Sequence, residues 1–344
     1  MKIPECFHNE EELEEFLSQP SESLVEMMKR LDGDIMILGI AGKMGVTMGK
    51  RAVNAIRRAG VSKTVYGVSR FSRAESRTQL EAAGVKTIPC NLLDQDAVNA
   101  LPQVANIIFM AGKKFGTEGA EDSTWAMNTL APAYVAKHFS KSRIVAFSTG
   151  CVYPLVSVVE GGCTEEVPPQ PIGEYSQSCL GRERIFQYAS REYGTKVLLF
   201  RLNYAIDMRY GVLHDIARQI ANAEAVNNTV GHFNVIWQGD ANDRALLCLE
   251  HCTSPAAILN ITGPETASIE QIAAKLAREM GKEFSFSGRS ADRCYLNNSA
   301  RMCDMFGYPS ISLERMILWQ AQWIKNGGSS LGKPTHFEVN NGKF

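Results

Sequence analysis

The glycines of Gly39-Ile-Ala-Gly42-Lys43-Met44-Gly45 stand at a spacing that chemistry can use. A G-x-x-G-x-x-G loop permits a tight turn, close approach of backbone N–H groups to a pyrophosphate, and close helix–strand packing. The helix that it opens adds partial positive charge. An apolar run precedes the loop and an amphipathic stretch follows it, which is the context a dinucleotide site requires. Cofactor binding is therefore expected at Gly39, Gly42, Lys43, Met44 and Gly45. Farther on comes Tyr66-Gly-Val-Ser69-Arg70-Phe-Ser-Arg73. An NAD site carries an Asp or Glu there for the ribose 2′-hydroxyl, and this run has none. Ser69, Arg70 and Arg73 would suit a 2′-phosphate, which favours NADP slightly over NAD; the plainer reading is that the arginines are solvated. Asn91-Leu92 can flank an adenine, and Ala111-Gly112 lets backbone lie against a cofactor. Lys113 and Lys114 then place positive charge at the mouth of the cleft, where Lys113 can meet substrate, unless both are solvated loop lysines.

Each of these residues falls at the end of a short apolar run, and the runs alternate with amphipathic stretches. Strands are expected at 34–39, 64–69, 86–90, 106–111, 142–148 and 196–202, with helices near 43–59, 75–83, 94–101, 121–139 and 174–193. The fold class this implies is α/β, a Rossmann-like doubly wound parallel sheet with a smaller C-terminal α/β substrate-binding domain. The expected boundaries are a helical extension at 1–32, an NAD(P)-binding domain at 33–205, and a smaller domain at 206–344 that returns elements to the sheet. In the latter, helices are expected near 211–225, 268–280, 297–306 and 313–326, with another opening at Asp240, followed by the Gly/Ser run 327–332.

The 344 residues carry 36 Lys+Arg against 37 Asp+Glu, so neither nucleic acid nor an anionic membrane is an obvious partner. No apolar run approaches the roughly 20 residues that span a bilayer, and the N-terminus lacks a signal-peptide core. Nine scattered cysteines suit free thiols in a reducing compartment, so a cytoplasmic location is expected. Cys248 and Cys252 are spaced i,i+4, yet no second pair has zinc-site spacing; no metal is expected.

More pieces fall into place after the fifth strand. Ser148-Thr149 precedes Tyr153 by four residues, Asn128 sits in the helix after the fourth strand, and Tyr175 opens the next long helix. Arg201-Leu-Asn203-Tyr204, Asp240 and Asn260-Ile-Thr-Gly263 follow. Over about residues 33–325 the chain resembles the extended short-chain dehydrogenase/reductases, the NAD(P)-dependent sugar epimerase/dehydratase family. The resemblance implies a substrate hydroxyl whose proton is moved by Tyr175, with Thr149 and Ser148 orienting it, while a nicotinamide takes or returns hydride. It also implies cofactor contacts at Asn128 and Tyr175 and a substrate contact at Asn203. The partner is then a sugar, sugar acid or nucleotide-sugar. A homodimer through residues 121–139 and 174–193 is a further implication. Arg209 could face an anionic substrate group or make a surface salt bridge.

One position departs from the family. A lysine is implied four residues after the tyrosine, where its charge stabilises the phenolate; this chain has Cys179. A thiol is neutral, and a thiolate would oppose the effect. Either another cation substitutes, from Lys113, Lys114, Arg182 or the oxidised nicotinamide itself, or the chemistry is slowed or altered. The alternative from another class is a catalytically impaired NAD(P)-binding sensor or scaffold.

Overall fold

The computed structural model describes residues 3–114, 116, 119–339 and 342. Seven parallel strands form one sheet: β1 (Ile35–Leu38), β2 (Val65–Ser69), β3 (Lys86–Pro89), β4 (Asn106–Phe109), β5 (Arg143–Thr149), β6 (Lys196–Leu202) and β7 (Ala257–Ile261). Their spatial order is β7-β6-β5-β4-β1-β2-β3. All four side chains of β1 are buried, as in a strand covered on both faces. The chain winds outward from β1 to β3 and then, starting at β4, in the other direction. That reversal opens a crevice beyond the carboxyl ends of β1 and β4.

The N-terminal helices are α1 (Glu10–Leu17) and α2 (Glu22–Arg30). The crossover helices are α3 (Gly45–Ala59), α4 (Ala74–Ala83), α5 (Gln95–Asn99), α6 (Glu121–Trp125), α7 (Ala131–His138) and α8 (Gly173–Tyr193). The later helices are α9 (Val212–Ala221), α10 (Gln238–Leu247), α11 (Ile269–Met280), α12 (Ala300–Phe306) and α13 (Leu313–Lys325). On one face of the sheet Met27 and Met28 of α2, Met48 and Ala52 of α3, and Ala241 and Ala245 of α10 pack with Ile35 and Ile37. On the other, Val98, Val135 and Phe186 pack against Met36, Leu38 and Phe109.

The single helix expected at 121–139 is interrupted. A π-helical turn, Ala126–Leu130, separates α6 from α7, and Pro132 lies in the first turn of α7. Proline has no N–H to donate to the carbonyl four residues back, so the regular ladder cannot run through this point. The wider turn carries Asn128, and π turns recur at functional sites. Other elements are shorter than expected. β1 stops at Leu38 and β4 at Phe109, which leaves Gly39, Ala111 and Gly112 in the connecting loops. The segment 257–261 pairs with β6 in parallel and extends the sheet.

α1 joins a second core cluster with α9, α11 and α13. Phe7 and Phe16 pack on Trp319, whose ring centroid lies 5.3 Å from that of Trp237. The Gly/Ser run does not trail away: Leu331 N donates to Arg209 O, Thr335 N and Oγ1 to Asp215, and Phe337 is buried.

Candidate active site

Two cavities meet at the ends of β1, β4 and β5. The first, about 380 Å³, is a groove lined by Gly39, Gly42, Ser69, Arg70, Asn91, Leu92, Ala111 and Gly112, with Ala41, Ser72, Cys90, Met110, Met127 and Lys333. The second, about 240 Å³, includes Lys43, Met44, Lys113, Lys114, Ser148, Thr149, Cys151, Tyr175, Arg182, Asn203, Tyr204 and Tyr210. Met110 and Gly112 line both. The sequence-expected cofactor and substrate residues are thus largely sorted into two neighbouring spaces.

The glycines of the groove are there for close approach. Gly39 has φ +92°, a conformation that L side chains rarely adopt, and a Cβ on it would lie 2.7 Å from Ala111 N. At Gly45, the first residue of α3, a Cβ would lie 2.2 Å from Ile40 O. The N-terminus of α3 is thereby pressed against the end of β1, directing its positive end toward the groove. Arg73 is not among the groove-lining residues; it sits at the residue before α4, with no side-chain capping hydrogen bond.

Asn128 lines neither cavity. Its Oδ1 accepts from Lys113 N at 3.0 Å and its Nδ2 donates to Lys113 O at 3.0 Å and to Ser178 Oγ at 2.9 Å. The π turn therefore clamps the loop after β4 to α8, which fixes Gly112 against the helix that carries Tyr175.

Tyr175 stands in the first turn of α8 and lines the second cavity together with Thr149, with Cys179 one turn along the same helix. Burial, then the thiols of Cys179 and Cys151, push its phenol well above the usual 10; Arg182 and Thr149 act in the other direction. Cys179 is completely buried, and burial pushes its thiol up. Ser148 is engaged elsewhere: its Oγ donates to Glu183 Oε1 at 2.6 Å. Glu183 also receives both Nε and Nη2 of Arg201, at 2.9 and 2.7 Å, and the Arg201 guanidinium lies 4.6 Å from the Tyr153 ring centroid.

Asn203 Nδ2 donates to Asn234 Oδ1 at 2.7 Å, which ties the end of β6 to the segment before α10. Lys113 Nζ donates to Ser123 Oγ. Lys43 extends from the glycine loop into the second cavity, where its Nζ sits 3.3 Å from the Tyr210 ring centroid. Burial lowers its pKa to about 7. Arg209 lines neither cavity. Its guanidinium is held by Asp207 at 3.1 Å and by Glu10 and Glu14 of α1 at 3.2 and 3.1 Å. The free anion-facing role considered for it gives way to a buried ion cluster, because α1 brings two carboxylates that a reading of residues 206–211 alone does not contain.

Several cavity residues were not singled out from sequence: Cys151, Tyr204, Tyr210 and Lys333. Tyr204 carries a signal in hindsight, as it follows Asn203 and adopts φ +43°, a rare conformation for a bulky residue. Cys248 and Cys252 are buried, and Cys252 Sγ donates to the carbonyls of Ile144 and Cys248. Among the described residues, no helix is long and apolar enough to cross a membrane.

The fold has solved counterparts. One is a variant of UDP-glucuronic acid 4-epimerase from Bacillus cereus in complex with UDP-4-deoxy-4-fluoro-glucuronic acid and NAD, with TM-score 0.71, 16% identity, and coverage of 85% of this chain and 99% of that one. Another is UDP-glucose 4-epimerase from Thermotoga maritima with UDP-glucose, at TM-score 0.69 and 17% identity, covering 86% and 99%. WbmG of Bordetella bronchiseptica, in complex with NAD and UDP, gives 0.71 and 17%, covering 89% and 99%. No curated protein matches the sequence. The model of the NAD dependent epimerase/dehydratase family matches residues 35–242, more than half of the chain, and the protein belongs to that family.

Proposed function

We propose that the protein is an NAD(P)-dependent epimerase/dehydratase or dehydrogenase that acts on a hydroxyl group of a sugar, sugar acid or nucleotide-sugar. The observation that carries this reading is the placement of Tyr175 and Thr149 in one cavity that shares Gly112 with the glycine-lined groove. The groove fits a dinucleotide: a side chain at Gly39 would crowd Ala111 at its floor, one at Gly45 would push the start of α3 off Ile40, and the α3 N-terminus supports a pyrophosphate. Gly39, Gly42, Asn91, Leu92, Ala111 and Gly112 would hold it. Ser69, Arg70 and Lys333 line the same groove, and their hydroxyl and charges support a 2′-phosphate, hence NADP over NAD. When bound, the nicotinamide supplies hydride uptake and return.

The protein's own part is the proton. A phenol held well above 10 is protonated at neutral pH, so Tyr175 rests as a donor, with Thr149 beside it in the same cavity. Accepting a proton from substrate requires positive charge nearby to offset burial and the two thiols. Asn203, Tyr204 and Tyr210 offer polar contacts, and Lys43 titrates near neutrality. At about 240 Å³ the cavity is below the roughly 300–1,000 Å³ of pockets that enclose drug-sized ligands, which suits the reacting ring rather than an entire nucleotide-sugar. Nucleotide-sugars remain in the proposal because of the family and of the UDP-bearing structural counterparts.

A second reading, a cofactor-binding sensor without turnover, is favoured by the neutral thiol of Cys179 in the place of an ammonium. A panel of sugars and nucleotide-sugars followed by product NMR separates the two, because an epimerase recycles its cofactor without net absorbance change. Turnover is expected, with Tyr175→Phe slower by about 100-fold or more. Equal activity of Tyr175→Phe contradicts the mechanism, and cofactor binding with no turnover of any panel member favours the sensor.

A further inference from the structure

Tyr175, Cys179 and Arg182 lie at i, i+4 and i+7 of α8, along one helix face. Arg182 is 6% exposed. Its Nη2 donates to Asn128 Oδ1 at 2.6 Å and its Nη1 to Phe147 O at 2.9 Å, both neutral acceptors, while its Nε has no partner among the described residues. A Cβ on Gly112 would lie 2.6 Å from Nη2, so the guanidinium fills the space left by the missing side chain. Gly112 borders both cavities, which puts this charge at their junction.

The other buried arginines are spent differently. Arg51 pairs with Asp243, Arg201 with Glu183, Arg209 with Asp207, and Arg244 approaches Asp243. Among the described residues Arg182 has no carboxylate partner. A buried cation without a counter-ion is costly to maintain, so its persistence calls for an anion formed elsewhere in the working cycle. Of the nearby groups, the phenol of Tyr175 is the one whose anionic form the chemistry requires. We propose that Arg182, two helical turns along α8 from Tyr175, supplies the positive charge that the family otherwise carries at position 179, and so positions Tyr175 for proton transfer.

This rests on Tyr175 being the proton-transfer residue. The groups facing Tyr175 are Cys179 and Arg182 from its own helix, Thr149 and Cys151 from the end of β5, and Lys114 from the loop after β4. Lys114 is the weaker candidate. Its Nζ lies 5.9 Å from the Tyr175 ring centroid, it donates to Thr335 O, and burial lowers its pKa, whereas a guanidinium keeps its charge throughout the working range.

The test needs neither cofactor nor substrate. A polyfluorinated tyrosine placed at position 175 of the full chain has a phenol several units more acidic, which brings the midpoint of this raised ring into the pH range of the folded protein, and its fluorine resonances report the ionisation of that one ring. In Arg182→Gln the midpoint should rise by about one pH unit or more, while Arg182→Lys keeps it within about half a unit of wild type. Adding Cys179→Lys to Arg182→Gln should bring it back. Should Arg182→Gln not fold, Gly112→Ala displaces the guanidinium without removing it and should also raise the midpoint. A midpoint unmoved by loss or displacement of Arg182, or moved equally by Lys114→Gln, overturns the proposal whether or not the substrate panel finds turnover. A shifted midpoint upholds it even if that panel fails.

Discussion

Tyr175 is a phenol close to a hydroxyl and two thiols, and the cation that acts on it, Arg182, is held in place by residues distant in sequence. Distant residues also engage Ser148, whose hydroxyl serves a fully buried ion pair. Side chains of Glu183 and Arg201 are 0% and 2% exposed, so neither charge has water to fall back on. Removing one partner leaves the other uncompensated, and Glu183→Gln should lower stability by about 3–5 kcal/mol in denaturant unfolding. A loss below about 1 kcal/mol would mean that Arg201 finds compensation elsewhere, for instance on the Tyr153 ring. Local spacing brought out where residues sit: Gly39, Gly42, Thr149 and Tyr175 line the two cavities, while the Ser148 hydroxyl, expected to orient substrate, is taken by Glu183. Arg182 was legible only as one of several cations. Its particular standing depends on Asn128, Phe147 and Gly112 converging on it from three other segments. Arg209 misleads for the same reason, since Glu10 and Glu14 come from nearly 200 positions upstream.

At the level of elements, alternation of apolar runs and amphipathic stretches is a strong signal, and all six strands expected for the sheet form, within one or two residues at most ends. Interruptions carry a weaker one. The π turn around Asn128 looks from sequence like continuous helix, because Pro132 is also acceptable in a helix's first turn. The return of residues 328–338 over the site was not legible, as Gly327-Gly-Ser-Ser-Leu-Gly332 has no periodicity to read. Its anchors are polar: His214 Nε2 meets Ser330 Oγ at 3.0 Å, and Gln320 Nε2 meets His214 Nδ1 at 3.2 Å. Gln320 donating to Nδ1 requires the neutral imidazole, and burial lowers the His214 pKa from 6.5 to about 4. The unfolded chain then binds this proton more tightly than the folded one. Stability should therefore climb with pH between about 4 and 6.5, by up to about 3 kcal/mol, and gain nothing more from this group above that window. Denaturant unfolding of wild type and His214→Gln across this range checks it; identical slopes would show that His214 titrates freely.

The whole molecule is held by its two ends. α1 contributes Leu13, Phe16 and Leu17 to the core built with α9, α11 and α13, and its Glu14 reaches both Lys50 of α3 and Arg209. Ser21, the cap of α2, binds Asp243, which in turn pairs with Arg51 of α3. From the other end, Lys333 lines the dinucleotide groove and Lys114 of the second cavity donates to Thr335 O. Groove, cavity and both chain ends thus form one connected structure whose purpose, on this account, is to keep a nicotinamide dinucleotide beside Tyr175. Calorimetric titration of the protein with NAD and with NADP tests that claim most directly. The account predicts saturable binding of one dinucleotide per chain in the micromolar range, tighter for NADP, and at least about tenfold weaker in Gly45→Ala, where a Cβ would meet Ile40 O. NAD binding about tenfold tighter than NADP would contradict the assignment of Ser69 and Arg70 to a 2′-phosphate. No binding of either up to millimolar concentration would contradict the account itself.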